Sequence, residues 1–136
     1  MTDSCQTHEL ELIRSFIQKD RRERCAYLLS TPKHRKKFTD ALAHFKWLDE
    51  RFAHSIPANI AHTAIEIADL LRKKGAGPKA WVISEISSID GQELPLDEVM
   101  EEIWGSQMGT FLSCIPGKLG YFEGEEMYSQ RLLERP

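Results

Sequence analysis

A chain of 136 residues, 41% apolar, 29% charged and 9% aromatic, has the length of one domain and the composition of an ordinary globular protein. This excludes collagen-like, coiled-coil and disordered classes, and a net charge of −3 gives no global case for nucleic acid or an anionic membrane. No apolar run approaches the ~20 residues of a membrane helix, and MTDSCQTHELEL lacks the basic start and apolar core of a signal peptide.

Cys5, Cys25 and Cys114 are widely spaced, odd in number and form no Cys-x-x-Cys pair. The pattern predicts free thiols in a reducing compartment, hence a cytoplasmic protein, and the composition has the look of a compact bacterial domain. Charge is unevenly placed: residues 1–80 sum to +5 and residues 81–136 to −8. The expectation is that the two halves pack side by side and soften each other. The alternative is two separated faces, one suited to an anion and the other to a cation or basic partner.

In chain order, a first helix is expected from about His8 to Leu29, with Leu10, Ile13, Phe16, Ile17, Cys25, Leu28 and Leu29 at helical spacing. Its charged middle, Lys19 to Arg24, is where a break would fall. Ser30-Thr31-Pro32 starts a second helix: Thr31 caps it, and Pro32 suits a first position that needs no amide bond. Phe38, Ala41, Leu42 and Phe45 form its inner side, and it ends near Trp47. Asp49 to Ala58 reads as loop. Asn59 is expected to cap a third helix through Ile60, Ala64, Ile67, Ala68 and Leu71, stopped at Gly75. Gly75-Ala76-Gly77-Pro78 then divides a helical half (residues 1–75) from a sheet half (79–136) of a single domain.

Beyond it the period drops to two. Ala80 to Ile86 reads as a strand, with Trp81, Ile83 and Glu85 on one face. Asp90-Gly91 turns the chain into a short strand over Gln92 to Leu94, and an amphipathic helix follows from Pro95 to Trp104. Thr110 to Ile115 is apolar on both faces, which predicts a strand covered on both sides. Pro116-Gly117 turns it into Leu119 to Glu123, and a last strand is expected around Met127 to Leu133. The predicted architecture is α+β: about three N-terminal helices packed on a small, mostly antiparallel C-terminal sheet with one inserted helix.

Chemistry-bearing residues fall in two groups. Lys33-His34-Arg35-Lys36-Lys37 puts cations where a helix dipole disfavours them. Thr31, His34, Arg35, Lys36 and Lys37 are therefore the anion-binding candidates. With Arg21, Arg22 and Arg24 they form a basic surface over residues 21–37. No aromatic residue interleaves the basic run itself, so nucleic acid is disfavoured as a partner. The second group is Glu85, Cys114 and Tyr121, candidates to line a pocket. Cys114 is expected in the core, since His8, His34, His44, His54 and His62 all lie in the helical half.

Glu85, Asp90, Glu93 and Glu123 match no metal loop, and the histidine spacing matches no zinc site. His8-Glu9 is not a metalloprotease motif, because Leu12 stands at the second histidine position. Gly75 to Lys79 has neither the spacing nor the strand-to-helix order of a phosphate loop. No metal and no cofactor are expected. The predicted function is a non-catalytic binding or regulatory module that meets a protein partner or itself, for example as a homodimer. The alternatives are an enzyme holding a phosphorylated small molecule or nucleotide at the start of the second helix, and a nucleic-acid binder using the Arg21–Lys37 surface.

Overall fold

The computed structural model describes residues 3–57, 59, 63–126 and 129–135, with side chains from residue 7 onward. Among these, five α-helices surround one six-stranded sheet. The helices are α1 (Asp3–Phe16), α2 (Arg22–Leu29), α3 (Pro32–Asp40), α4 (Ala64–Lys73) and α5 (Leu96–Ile103). The strands are β1 (Ala53–Ser55), β2 (Lys79–Ser84), β3 (Glu93–Pro95), β4 (Thr110–Ile115), β5 (Leu119–Glu123) and β6 (Arg131–Glu134). Every pairing is antiparallel and the order is β1-β6-β5-β4-β2-β3. The α+β class holds.

The expected 22-residue first helix is two helices, joined by a 3-10 turn at Lys19–Arg21. Its charged centre has nothing apolar to bury. Ile17 instead bridges to Leu48, and Gln18 N donates to Trp47 O at 2.8 Å. The second helix is also shorter than its apolar stripe, ending at Asp40 before a 3-10 turn at Leu42–His44. Thr31 caps α3 as expected, its hydroxyl accepting from His34 N. The cap of α4 is Thr63, not Asn59: its side chain accepts from Glu66 N at 3.2 Å, in a Thr-x-x-Glu arrangement. Ile60 and His62 lie outside the described residues, as do Met127 and Tyr128 of the expected last strand, whose described part is β6.

The loop expected over Asp49 to Ala58 contains β1, which pairs with β6 and so ties the N-terminal half into the sheet. Three residues are too few for a period to register. Leu119 to Glu123 returns as predicted through a tight turn, with Lys118 N donating to Ile115 O at 2.9 Å and Gly117 at φ 74°.

Strand alternation separates two cores. Trp81, Ile83, Phe111, Phe122 and Leu133 face Leu12, Phe16, Leu28, Phe38 and Leu42 of the N-terminal helices. Ala80, Val82, Leu112, Tyr121 and Leu132 face Ile67, Leu71, Leu96, Met100 and Ile103 of α4 and α5. The third predicted helix therefore crosses to the far side and packs with the inserted one. The sheet is covered on both faces, which is why β4 is apolar on both.

Candidate functional site

Two features draw the chemistry-bearing residues together: a buried polar node between α1, α3 and the sheet, and a basic surface outside it. The node starts at His8 and Glu9, consecutive residues of α1. His8 Nδ1 shares a 2.7 Å hydrogen bond with Ser113 Oγ of β4, and the imidazole stacks on the Trp81 ring, interplanar angle 11°. Trp81 Nε1 donates to Glu9 Oε2 at 2.9 Å, and Arg35 NH1 donates to Glu9 Oε1 at 2.9 Å. From its other edge Arg35 grips Asp90, Nε to Oδ2 at 2.8 Å and NH2 to Oδ1 at 3.0 Å. Asp90 Oδ1 also accepts from Ser84 N. One guanidinium thus joins α1, α3 and the turn after β2, with its side chain only 17% exposed. Burial alone would lower the pKa of Arg35, but the hydrogen bonds of Asp90 and Glu9 outweigh it and raise it, so the cation is held firmly.

Serine and histidine at hydrogen-bond distance are the start of a nucleophile–base pair. Here Ser113 is 3% exposed and His8 9%, closed beneath α1 and against Trp81. What the pair does in this setting is fasten α1 to β4. Burial pushes the His8 pKa below its ordinary 6.5, with Glu93 and Glu9 pulling it partly back. The folded state therefore holds the neutral ring. Its contribution to stability is complete above pH 6.5 and is lost as pH falls through 6.5 toward the lowered folded value. A His8→Gln variant is expected to flatten the stability profile in that interval, read by urea unfolding between pH 7 and 5. An unchanged slope would show that His8 does not titrate with folding.

Beside the node runs an open groove of about 340 Å³ between α3 and the turn after β2, lined by Arg35, Lys36, Thr39, Asp40, Ser84, Glu85, Ser87 and Asp90. It brings together two of the anion candidates and one of the pocket candidates. Its charged groups already have partners: Arg35 as above, Lys36 Nζ in an ion pair with Asp40 at 3.0 Å, and Glu85 Oε1 accepting a hydrogen bond from the Gly109 amide. At the start of α3, His34 N and Arg35 N both bond Thr31, and Pro32 has no amide. Thr31, His34 and Lys37 lie outside the groove lining. Arg35 turns inward, away from any anion at the helix start.

Cys114 and Tyr121 face the other way, into the core under α4 and α5. Burial raises the Cys114 thiol to about 12, an inert core group, and the sheet separates it from His8. Tyr121 donates to Glu123 Oε1 at 2.8 Å, while Gly105 N donates to Oε2. Burial lifts the Glu123 carboxyl above its usual range, partly countered by those two bonds. Among the described residues no group of three His, Cys, Asp or Glu side chains is placed to hold a metal ion.

The outer surface of α2 and α3 carries what the node does not use. Residues 19–37 hold eight Lys and Arg against two acids. Arg22 turns inward to Ile17 O, and Arg35 to its carboxylates. Arg21, Arg24, Lys33 and Lys37 stay exposed. Folding also supplies aromatic neighbours that the linear basic run lacks. Tyr27, 50% exposed, packs on His34 at 4.7 Å with Arg24 beside its ring, and Arg21 lies over Trp47 at 5.0 Å. The acidic residues Glu98, Glu101 and Glu102 are exposed on α5, across the sheet from this surface.

The expected softening of charge is thus confined to a few contacts, Arg35–Asp90, Arg72–Asp97 and Lys74–Glu134 among them. Of the exposed residues left without an ion pair among those described, Lys33 and Lys37 lie on α3 and Glu98, Glu101 and Glu102 on α5, on opposite faces of the sheet. The joining of His8, Glu9, Trp81 and Ser113 escaped sequence reasoning because the partners stand up to 105 residues apart. No protein-family model, curated protein or solved structure matches this chain, and no helix among the described residues is long and apolar enough to cross a membrane.

Proposed function

We propose that this chain is a non-catalytic binding module whose α2–α3 surface docks an acidic protein surface. The observation that carries the reading is that Arg21, Arg24, Lys33 and Lys37 are all exposed on and beside α2 and α3, two helices joined where the half-exposed Tyr27 meets Arg24 and His34. An exposed aromatic ring among arginines is the composition of an interface core, where Tyr and Arg are enriched. Tyr27 and Trp47 already stack with His34 and the neighbouring arginines, so they are poor platforms for nucleic-acid bases. The rigid node behind α3 would hold that surface in one shape, reducing the entropy lost on docking. The unbridged thiols Cys25 and Cys114 suit a reducing compartment, which supports a cytoplasmic setting.

Binding to poly-L-glutamate and to single-stranded poly(U), measured at low salt and again at physiological salt, tests this. The wild-type protein is expected to retain polyglutamate in a salt-sensitive manner. An Arg24→Glu, Lys33→Glu, Lys37→Glu variant should bind it at least about tenfold more weakly with unchanged folding, since exposed charges contribute little to stability. Retention of poly(U) but not polyglutamate would replace the acidic protein with nucleic acid. No retention of either, or equal binding by the variant, would remove the α2–α3 surface as a docking site.

A further inference from the structure

We infer that the acidic surface taken by the α2–α3 face is α5 of a second copy of this chain, giving a head-to-tail assembly. The inference rests on the docking role proposed above for the basic face and names its partner.

The two faces break the same helix rules in opposite senses. On α3, Lys33 and Lys37 stand four residues apart as a like-charge pair, and Lys33 sits in the first turn, where the dipole disfavours a cation. On α5, Glu98 and Glu102 stand four residues apart as a like-charge pair. Glu101 and Glu102 occupy the last turn, which holds no basic residue, and there the dipole disfavours an anion. Among the described residues none of these five side chains has an ion-pair partner. A neighbouring helix of opposite charge relieves both conflicts, and the one-turn spacing of the two pairs matches.

The fold itself prevents the match within one molecule. Leu28 and Phe38 of the basic helices pack on one face of the sheet, Leu96 and Met100 of α5 on the other. A symmetric pair of copies faces the same difficulty. With the two surfaces on opposite sides, a two-fold dimer cannot join both basic faces to both acidic faces. The contact is therefore heterologous, and repeating it builds a ring or an open chain rather than a closed dimer. A net charge of only −3 leaves little overall repulsion between copies. Because exposed ion pairs are individually weak and screened by salt, the contact is transient and strongest at low ionic strength.

Sedimentation velocity on the full chain tests this with two variants, Lys33→Glu/Lys37→Glu and Glu98→Lys/Glu102→Lys, both checked by circular dichroism for unchanged folding. The wild-type protein should show a concentration-dependent average mass that passes the dimer at low salt and falls to 15.7 kDa at high salt. Each variant alone should associate at least about tenfold more weakly. An equimolar mixture should reassociate, since the reversed basic face of one variant then meets the reversed acidic face of the other. A wild-type monomer at millimolar concentration and low salt would overturn the assembly, as would a mixture that stays monomeric or single variants that assemble like wild type. Polyglutamate retention by such a monomer would leave the basic face as a docking surface for another protein. Loss of both would remove both proposals.

Discussion

Replacing Arg35 with methionine is expected to cost about 3–5 kcal/mol of folding stability at neutral pH, the range seen when one partner of a buried ion pair is removed. Methionine keeps an unbranched apolar stem and deletes the guanidinium and its charge. Glu9, whose side chain is 7% exposed, and Asp90, at 18%, then remain as carboxylates facing each other without a cation between them. Glu9 keeps Trp81 Nε1, and Asp90 keeps Ser84 N, so the variant retains a folded basin. The melting temperature should fall by more than about 10 °C. Urea unfolding and thermal melting at pH 7 measure the loss. A loss under about 1 kcal/mol would show that the guanidinium does not hold these elements together.

The second large effect is expected at Gly109. An alanine methyl there would lie inside van der Waals contact of Leu42 C, Leu42 Cβ and Ala43 N. Backbone atoms cannot swing aside as the end of a long side chain does. Gly109→Ala should therefore cost about 3 kcal/mol, the upper end of overpacking penalties. The 3-10 turn at Leu42–His44 would be pushed off the start of β4. Ala43 O accepts from Glu125 N at 2.9 Å, so the amide of Glu125 should lose hydrogen-exchange protection in the variant. Gly77, with nothing within 4 Å of an added methyl, is the control. Gly77→Ala should be neutral or stabilise by up to about 1 kcal/mol through the unfolded state. Equal effects at the two glycines would mean that the close approach at Gly109 does not constrain the fold.

Much of the fold was legible because it is written in local patterns. The double-faced apolar run of β4, the Pro116-Gly117 turn and the amphipathic α5 are each set by residues within a few positions of one another. Thr31 and Pro32 mark the start of α3 for the same reason. Elements that went unread have their causes elsewhere in the chain. β1 exists because β6 offers it a partner, and the break after Ile17 exists because Leu48 pairs there. Thr63 was legible in principle through its Thr-x-x-Glu spacing, but Asn59 competed for the cap.

The candidate site divides along the same line. By itself the sequence determined the charge of the basic run, the absence of a Cys-x-x-Cys pair, and the conflict between Lys33 and the helix dipole, since each depends on residue type and near-neighbour spacing. Only the tertiary structure decided that Arg35 turns inward while Lys33 and Lys37 stay out, that Cys114 and His8 face opposite ways, and that the acidic helix lies behind the sheet. Those outcomes depend on which face of a strand meets which helix. That choice follows from the register and from burying both cores together, where one residue's slip reverses every side chain at once.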